Sequence, residues 1–366
     1  MKNIAIDLTH YGKLSWFGRV ANNIIDRLIQ DTNYNVFLFI KQWDSSIVYP
    51  KEQKNVHIII SNKKNYFLYR LFYQATLIRK YNINVYYSID QIMPLFKNKG
   101  CRYINTIHDI EHWKYCHWFK AIKEILISKK VSLLSFLLYF LSMERFFAKK
   151  ADITITPSQY TKDQMVKYMG IKEQKIKAVH RGMDDKKMEI INYQHEDYIL
   201  FPLCIHFFNP EFIIELAQKI LQQHITKKII IRKLGTPNGL YNKTSPNKNI
   251  IIDNRRLSDE EKERLFGEAF CSIYISSWDG FWIVPLENMV LWTPVIYNSI
   301  ASLPEISGDW WIAIKKLEID SFIITLKRLE NDKSYYKNCV ERWRERINRY
   351  KRATTCKKIE DIFNKI

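Results

Sequence analysis

Short runs of β-branched and aromatic residues alternate with amphipathic segments along the first half of this chain. Runs typical of strands lie at residues 2–8, 36–40, 56–60, 85–89, 103–107 and 153–156. Apolar residues at helical spacing predict helices at residues 18–30 and 66–80, and another between the last of these strands and Met169. Strands that alternate with helices predict a parallel, doubly wound sheet, and therefore an α/β fold.

The same pattern starts again after a polar, aperiodic stretch at residues 181–197, where we place the domain boundary. Strands are predicted at residues 199–203, 228–232, 249–252, 271–275 and 294–297, with helices at 211–222, 258–267 and 285–292. Ser258, followed by Glu261 three residues later, predicts a capping box. A charged segment at residues 335–366 predicts one long C-terminal helix. A chain of 366 residues is also longer than one core usually serves, so we expect two α/β domains.

The charge of the chain leaves three interpretations open. Lys and Arg number 57 against 38 Asp and Glu, which gives a formal net charge of +19. An AT-rich codon bias would produce such a composition without any function. Attraction to an anionic membrane or to anionic small molecules would put the charge to use. Nucleic-acid binding ranks last, because the basic residues are spread along the chain and no nucleic-acid-binding module is recognisable.

Residues 131–143 (VSLLSFLLYFLSM) form a nearly continuous apolar run of thirteen residues. A helix that spans a membrane needs about 20 residues, so this run is too short to do so. It predicts either a helix buried in the protein or a helix that lies in the membrane interface. In the second case the headgroups would be contacted by neighbouring lysines between residues 120 and 150, namely Lys120, Lys123, Lys129, Lys130, Lys149 and Lys150.

The cysteines and the N-terminus indicate the compartment. None of the six cysteines forms a CxxC pair, so we expect neither a zinc site nor a disulfide framework. The apolar run at the N-terminus is too short for a signal peptide and reads as a first strand. Both observations favour the reducing cytoplasm.

Two acidic residues, Asp279 and Glu287, stand eight positions apart in the segment SSWDGFWIVPLENM at residues 276–289. The pattern places Asp279 after a strand and Glu287 in the first turn of the next helix, beside the crevice where α/β proteins bind ligands. Carboxylates can bind sugar hydroxyls, and glycosidases use carboxylate pairs. Equally, Glu287 could complement the helix N-terminus and Asp279 could cap a turn. The residues alone leave these roles undecided.

His108 and Asp109 follow a predicted strand and so lie at the same kind of edge. A histidine oriented by a carboxylate suits proton transfer or polarisation, although a structural histidine at a strand end explains the pair equally well. Phosphate-binding candidates are the helix start at Gly18 and cations that end strands or follow them. These cations are Arg232, Lys233, Arg255 and Arg256, and each of them is also compatible with ordinary solvated charge.

Six segments taken in order carry a family resemblance. They are FGRVANNIIDRL near the start, IHDI at 107–110, ADITITPSQYTKDQM at 151–165, KIKAVHRGMD at 175–184, SDEEKERLFGEAFCSIYISSWDGFWIVPLENM at 258–289 and SLPEISGD at 302–309. Together they resemble the retaining, nucleotide-sugar-dependent glycosyltransferases of group 1 or family 4 type, whose fold is GT-B. The most specific of them is the block at 258–289, in which seven residues separate the two acidic ones.

The resemblance implies two Rossmann-like domains that face each other across a cleft. Residues 1–182 would form the acceptor domain, residues 183–340 the donor domain, and residues 341–366 a C-terminal helix that can cross back to the first domain. Glu287 would bind the ribose hydroxyls, Asp279 a hydroxyl of the transferred sugar, and His108 the sugar near the reacting carbon. The remaining donor-side residues would be Gly280, Phe281, Trp282, Ile283, Arg232, Lys233 and Gly18. Asp109 and Arg19 would lie on the acceptor side.

The chain also departs from the family pattern. Asp279 replaces the usual Glu, Trp282 a usual Gly, and Asn288 a common Ala. The segment FPLCIHFFNPE at residues 201–211 lacks the Arg and Lys that normally bind the diphosphate, and His206 is its only potential cation. Each lost charge-assisted contact should cost about 1.5–3 kcal/mol. Other cations would have to compensate, with Arg232, Lys233, Arg255 and Arg181 as the candidates.

Two functions follow as hypotheses. The first is a retaining, metal-independent hexosyltransferase, of mannosyl or similar type, that uses a nucleotide diphosphate sugar and no cofactor. Its acceptor would be a glycan or lipid-linked molecule in polysaccharide or glycoconjugate synthesis, and the enzyme would contact the inner face of the membrane through residues 120–150. The second is a catalytically degenerate GT-B protein that acts as a binding or scaffold partner. Nucleic-acid binding rests on charge alone, and we expect no nucleic acid among the partners.

Overall fold

The structure of the protein is a computed structural model. It describes residues 1–8, 25, 27–28, 33–40, 54–61, 65–110, 143–183, 194–203, 210–226, 228–233, 247–255, 257–277, 280–281, 283–308 and 312–366. Within these residues the chain forms two compact units. One unit comprises Met1–Gly182 together with Arg352–Ile366, and the other comprises Met183–Lys351.

The first unit is built on a seven-stranded sheet in the described part of the chain. Its strands are β1 (Lys2–Asp7), β2 (Tyr34–Ile40), β3 (Val56–Ile60), β4 (Val85–Ser88), β5 (Arg102–Thr106), β6 (Ile153–Thr156) and β7 (Ile176–Ala178). They lie in the order β3-β2-β1-β4-β5-β6-β7, and every pair is parallel. The described helices between them include α1 (Tyr66–Leu68), which continues through a π-helix (Tyr69–Tyr73) into α2 (Gln74–Lys80), then α3 (143–150), and α4 (Gln159–Gln164) with a π-helix (Met165–Met169) directly after it. The strand order reverses between β1 and β4.

Both faces of this sheet are covered, as a parallel sheet requires. Successive side chains of β1 pack on opposite faces of the sheet. Ile4 and Ile6 belong to the apolar core on one face, and Ala5 belongs with Phe39 and Tyr86 to the core on the other. The alternation places neighbouring residues of a strand on opposite faces. Apolar residues at nearly every strand position therefore mark a buried strand here.

The second unit contains a six-stranded parallel sheet in its described residues. Its elements are β8 (Glu196–Leu203), α5 (Pro210–Gln222), β9 (Lys228–Lys233), β10 (Ile250–Asp253), α6 (Asp259–Gly267), β11 (Ala269–Tyr274), α7 (Ile283–Val290), β12 (Val295–Asn298), α8 (Leu303–Ser307), β13 (Ile312–Ile314), α9 (Ile319–Asn331) and α10 (Lys333–Ile347). The strand order is β10-β9-β8-β11-β12-β13, which reverses between β8 and β11. The α/β prediction with two doubly wound sheets is confirmed.

The predicted capping box is present at the start of α6. The Ser258 hydroxyl accepts a hydrogen bond from the Glu261 backbone N–H at 3.1 Å, and the Glu261 carboxylate accepts one from the Ser258 N–H at 2.7 Å. The two side chains satisfy two N–H groups that a helix start otherwise leaves unpaired. This fixes where α6 begins, and α6 supplies a residue to the candidate site described below.

The prediction of a single C-terminal helix at residues 335–366 is wrong. Helix α10 ends at Ile347, and Lys351 is extended, with φ −66° and ψ 137°. A second helix, α11 (Arg352–Lys365), then packs Ile359 and Phe363 into the core of the first unit. Trp343 of α10 lies instead in the core of the second unit. The second unit therefore reaches Lys351 rather than residue 340, and only the chain from Arg352 onward joins the first unit.

The predicted membrane segment lies largely outside the described residues. Of residues 131–143, only Met143 is described, and it begins α3. No helix in the described part of the chain combines the length and the apolar character needed to cross a bilayer.

Candidate functional site

The reversal of strand order between β8 and β11 marks where a ligand crevice is expected in the second unit, beyond the carboxyl ends of the strands. Polar residues cluster at this edge. Arg232 lies near the end of β9, Asp253 ends β10, Asn298 ends β12, and Ser276 lies just beyond β11. The edge thus carries both charges and amide groups, in contrast to the apolar interior of the strands.

The turn after β11 is fixed by Asn298. Its side-chain oxygen accepts a hydrogen bond from the Ser276 N–H at 3.0 Å, and its amide donates to the Ser276 carbonyl at 2.7 Å. The ends of β11 and β12 are thereby joined. Gly280 and Phe281 are buried, and the Phe281 ring meets Tyr350 edge-on at 6.2 Å between ring centroids. The Phe281 side chain thus serves the core, so a donor contact from this position would come from its backbone.

Glu287 lies on α7, which follows this turn. Because α7 begins at Ile283, two residues earlier than predicted, Glu287 is its fifth residue and stands beyond the first turn. The expected position in the first turn is therefore wrong, and so is the interpretation that Glu287 merely complements the helix N-terminus, an effect that fades beyond that turn.

Lys262 of α6 holds the Glu287 carboxylate. Its Nζ donates to Glu287 Oε1 at 2.6 Å, and the two side chains are only 26% and 15% exposed. The lysine also lies over the Phe266 ring, 5.5 Å from its centroid. Sequence reasoning missed Lys262, since a lysine on a charged helix carries no signal of a partner 25 positions away. The pair places a cation and an anion together beside the crevice.

Asn288, next to Glu287, fastens α7 to the sheet. Its Oδ1 accepts a hydrogen bond from the Ser272 hydroxyl of β11 at 2.6 Å, and its Nδ2 donates to the Val284 carbonyl at 2.8 Å. Asn288 and Ser272 are both fully buried. The Asn in place of a common Ala is thus explained by a partner on the neighbouring strand, and it sets the position from which Glu287 projects.

The predicted cations at the outer edge are held by one carboxylate. Asp253 Oδ1 lies 3.4 Å from Arg232 Nη1 and accepts from Arg255 Nε at 3.0 Å, and Asp253 Oδ2 accepts from Arg255 Nη2 at 3.1 Å. Burial alone would raise the pKa of Asp253, but the hydrogen bonds from Arg255 hold it below its usual value. Arg232 is buried, whereas Arg255 is largely exposed. Lys233 ends β9, but its side chain is outside the described set, as is Arg256.

In the first unit, His108 follows β5 and is held at both ring nitrogens. Arg181 donates to Nδ1, and Nε2 lies 2.8 Å from the Ile89 carbonyl. Because arginine only donates, Nδ1 accepts and the ring proton stands on Nε2. Burial and the Arg181 charge lower the pKa of His108 to about 3. The ring is therefore neutral near pH 7, and its contacts suit it to position Arg181 rather than to transfer protons. Asp109 is half-buried beside it.

The strand-order reversal of the first sheet is occupied by Arg70. Its Nε donates to Asp7 at the end of β1 at 2.7 Å, its Nη1 donates to Asp90 at 2.8 Å, and its Nη2 donates to Ser88 at the end of β4 at 3.0 Å. Arg70, Asp7 and Ser88 are no more than 1% exposed, and Asp90 is 6% exposed. The acids raise the pKa of Arg70 above its usual value, against the effect of burial. Sequence reasoning missed this network, whose members are distant in the chain.

Several predicted site residues lie outside the described part of the structure. They are Gly18, Arg19, Asp279 and Trp282. The described structure brings Glu287, Gly280, Phe281 and Ile283 onto one turn and helix of the second unit, and places Arg232 on a neighbouring strand. His108 and Asp109 stand at the corresponding edge of the first unit.

Comparison with known proteins gives one family match and a set of solved structures with a similar fold. The model of Glycosyltransferase Family 4 matches residues 18–187. None of the curated proteins matches the sequence. Solved structures with a similar fold include a glycosyltransferase from Rickettsia africae ESF-5, at 14% identity and a TM-score of 0.63, covering 100% of this chain and 98% of that one.

Two further structures show the same similarity over the whole chain. Anabaena Alr3699/HepE, solved in complex with UDP, has 12% identity and a TM-score of 0.66, with 100% of both chains covered. The apo form of the lipopolysaccharide outer core galactosyltransferase WaaB has 16% identity and a TM-score of 0.67, again with 100% of both chains covered. At these identities the likeness concerns the fold. The whole-chain likeness thus shows the GT-B fold, and the family 4 model adds a similarity that covers residues 18–187, a little under half of the chain.

Proposed function

We propose that this protein is a retaining glycosyltransferase that moves a hexosyl unit, of mannosyl or similar type, from a nucleotide diphosphate sugar to a glycan or lipid-linked acceptor. The observation that carries the proposal is the Glu287 carboxylate, held at 2.6 Å by Lys262 on the helix that follows β11, one of the two strands at the reversal of the second sheet. The family match and the UDP complex of the Anabaena protein with this fold support a nucleotide as the ligand.

In this proposal the second unit binds the donor. Glu287 accepts hydrogen bonds from the ribose hydroxyls, which are charge-assisted and therefore strong. Lys262 keeps the carboxylate in one orientation and offsets its charge as the anionic nucleotide approaches. The backbone N–H groups between Gly280 and Ile283 cradle the donor, and Asp279 binds a hydroxyl of the transferred sugar. Arg232 and Lys233 are the proposed cations near the diphosphate.

The reaction itself would need no metal and no cofactor. The bond from the anomeric carbon to the diphosphate breaks, the acceptor oxygen bonds to the same face of that carbon, and the leaving phosphate takes the acceptor proton. Protein cations and N–H groups stabilise the charge that develops on the leaving group. His108 remains proposed as a contact to the sugar near the reacting carbon, here as a neutral hydrogen-bonding group. Asp109 and Arg19 are proposed for the acceptor side, and Gly18 for phosphate contact.

The test combines nucleotide binding with turnover. Purified protein is titrated with UDP, GDP and their sugars by calorimetry, and donor hydrolysis or transfer is measured with and without EDTA. Glu287→Gln keeps the shape of the side chain but removes its charge. We expect it to weaken nucleotide binding by about 10- to 100-fold, which corresponds to about 1.5–3 kcal/mol. Glu330→Gln, on the exposed face of α9, is the matched control.

Three results would count against the assignment. They are unchanged affinity in Glu287→Gln, unchanged turnover in Asp279→Ala, and inversion of anomeric configuration in the product. Retention with EDTA present would support both the mechanism and metal independence.

The second candidate is a catalytically degenerate GT-B protein that acts as a binding or scaffold partner. One observation favours it: Asp253 holds both Arg232 and Arg255, so these cations are already engaged. Together with the missing Arg and Lys at residues 201–211, this weakens the expected grip on a diphosphate. This candidate predicts little thermal stabilisation by any nucleotide diphosphate and no turnover with any common sugar nucleotide. Stabilisation together with turnover would exclude it.

We further propose a cytoplasmic location on the inner face of the membrane, in polysaccharide or glycoconjugate synthesis. The four described cysteines are buried thiols, in keeping with a reducing compartment. The net charge of +19 favours an anionic surface. Residues 120–150 are the sequence-based candidate for the contact. Fractionation of cells that express the full chain, with a salt wash of the membranes, tests this location.

A further inference from the structure

A contiguous set of large apolar side chains lies exposed on the first unit, and we refer to it as the aromatic platform. Its members are Leu68, Phe72, Tyr73 and Phe96, each at least 40% exposed. Leu68 and Phe72 stand one turn apart on the helix that leads into α2, and the Phe72 ring lies 6.2 Å from the Phe96 ring. Single exposed apolar residues are ordinary on protein surfaces, but a contiguous group marks an interaction site.

The loop that carries Phe96 is fastened to the helix. The Leu95 N–H donates to the Leu71 carbonyl at 2.8 Å, and the Asn98 side-chain amide donates to the Ala75 carbonyl at 2.6 Å. The buried Arg70 donates to the Ile92 carbonyl at 2.8 Å. These bonds present the aromatic platform in a preformed arrangement, which saves the ordering cost that a flexible surface would carry on binding.

The surroundings of the platform are basic. Exposed cations on the same helix and loop, and on the strand that follows, are Arg79, Lys80, Lys97, Lys99 and Arg102. Residues 65–110 contain two acids, of which Asp90 is buried against Arg70 and Asp109 follows His108. Lys97 pairs with Asp152 and lies beside Lys150. The surface thus combines apolar side chains with an excess of positive charge.

The same chemistry continues onto α3. The Lys97 Nζ lies 3.4 Å from the Lys150 carbonyl, and the Lys150 Nζ stands 5.2 Å from the centroid of the Phe146 ring. Phe146 is 45% exposed. Alternating aromatic rings and lysines therefore extend from the loop to the neighbouring helix.

We propose that the aromatic platform and its cations dock the first unit on an anionic lipid surface. Phe and Leu side chains of a basic, amphipathic surface settle at the boundary between the headgroups and the acyl chains, and each surface Lys or Arg is attracted to an anionic leaflet. A protein partner would have to supply an acidic, apolar surface of matching shape, whereas a leaflet supplies both properties without one. The proposal rests on the proposed function in one respect only, namely that the lipid surface would carry the acceptor. The residues of the platform lie outside 111–142.

The experiment is co-sedimentation of the full chain with vesicles. One set is phosphatidylcholine alone and the other an equimolar mixture with phosphatidylglycerol. We expect binding to the mixed vesicles only. The double substitution Phe72→Ser and Phe96→Ser should weaken vesicle binding by about tenfold or more, because two aromatic side chains that would be buried in the lipid are lost. The pair Arg79→Glu and Lys99→Glu should weaken it and reduce its salt dependence.

The control is Ile324→Ser, which removes a 70% exposed apolar side chain from α9 of the second unit and should leave vesicle binding unchanged. Because all these side chains are exposed, thermal melts of the variants should match that of the parent chain. Equal sedimentation with both vesicle types, or full binding by the Phe72/Phe96 variant, would overturn the proposal.

Binding to soluble dextran sulfate as tight as to the mixed vesicles, and unaffected by the Phe72/Phe96 variant, would also overturn it, since charge alone would then explain the attraction. Nucleotide titration of the same preparations keeps the outcome separate from that of the proposed function. The lipid contact can fail while UDP still binds, and the reverse also holds.

Discussion

The two sheets reverse their strand order in the same way but differ in what stands at the reversal. In the first unit, Arg70 lies at the carboxyl ends of the neighbouring strands β1 and β4 and binds Asp7 and Asp90. All three residues are almost fully buried. In the second unit, Glu287 of α7 pairs with Lys262 of α6, the helices that follow and precede β11 in the chain, with 15% and 26% of their side chains exposed. The charged side chains of the first pair of strands are shielded from solvent, whereas those of the second unit remain partly exposed to it. We call the first the closed reversal and the second the open reversal.

The difference shows why a strand-order reversal does not by itself identify a site. Removing charges from water is costly, and only close pairing with good hydrogen bonds offsets the cost. The Arg70 network meets that requirement and stabilises the first unit. The pair in the second unit stays within reach of a ligand, so its charges can exchange partners when one binds. The first unit would therefore bind its ligand through other groups at its edge.

The largest expected effect tests the closed reversal. Arg70→Met leaves Asp7 and Asp90 buried without their cation, which should lower the free energy of unfolding by about 3–5 kcal/mol. Urea denaturation followed by circular dichroism measures it. Arg79→Met, on the exposed face one turn past Ala75, is the control and should change stability by less than about 0.5 kcal/mol. Nucleotide affinity of the folded Arg70→Met protein should remain near that of the parent. A loss of nucleotide affinity with little loss of stability would contradict this comparison, because the closed reversal would then bind the nucleotide rather than stabilise the fold.

The next effect concerns pH and the His108 contact with the Ile89 carbonyl, which joins β5 to the residue after β4. In the unfolded chain a histidine binds a proton below about pH 6.5, whereas burial and Arg181 lower the pKa of His108 in the folded protein to about 3. The unfolded state therefore binds more protons between these values, so stability falls as pH decreases through this window. From pH 6.5 to 5 the loss from this group should be about 2 kcal/mol.

His108→Gln removes this titration. We expect the difference in unfolding free energy between the parent and the variant to narrow as the pH falls from 7.5 to 5, with other histidines cancelling in the comparison. A difference that stays constant over this range would show that the pKa of His108 is the same in the folded and unfolded states, so that the ring titrates near pH 6.5 in the folded protein. Proton transfer by its ring would then return as a possibility.

The fold could be predicted from the sequence because the decisive signals are local. The run at residues 36–40 (VFLFI), for example, is apolar and buried at every position, as a strand covered on both faces must be. The break between α10 and α11 was missed because its cause is the extended Lys351, at the place where the chain leaves the second unit. Helix α9 was not predicted, although Phe322, Leu326 and Leu329 recur at helical spacing and face the core. Local spacing thus predicts elements well and their ends less well.

The candidate site could be predicted only where its residues are neighbours in sequence. Glu287 was found because a strand, a glycine turn and a helix surround it in one short stretch. The partners of the charged residues were not, because Lys262 contacts Glu287 across 25 positions, and Arg181 contacts His108 across 73. Such pairs depend on how helices and strands pack, which no local pattern encodes. Asn288 is a further example of a residue whose partner is distant in sequence, since its departure from the family pattern is explained by a hydrogen bond from Ser272 of β11.

Asn288 provides a prediction that joins stability to the open reversal. Asn288→Ala leaves the buried Ser272 hydroxyl without this acceptor, which should cost about 1–2 kcal/mol in chemical denaturation. The double variant Ser272→Ala/Asn288→Ala removes both groups and should recover part of the loss. Because Asn288 also fastens α7, nucleotide affinity should fall with the single variant. If the double variant is no more stable than the single one, the hydrogen bond at 2.6 Å is not the reason for the asparagine.

The smallest effect sharpens the comparison most, because it separates binding from stability at the open reversal. Lys262→Met keeps roughly the length of the side chain but removes the cation from Glu287 and from the face of the Phe266 ring. A partly exposed ion pair contributes little to folding, so stability should change by less than about 1 kcal/mol. If Lys262 orients Glu287 for the ribose, UDP and uridine should both bind about fivefold more weakly, corresponding to about 1 kcal/mol. The KM for the donor should rise with kcat nearly unchanged, since the contact exists before the reaction as well as during it.

Lys262→Arg should retain most of the affinity, and Arg264→Met, which removes an exposed cation on the same helix that pairs with Glu268, should be neutral. Weakened binding of UDP with unchanged binding of uridine would mean that Lys262 acts on the diphosphate instead, and the open reversal would then supply one of the cations that residues 201–211 lack.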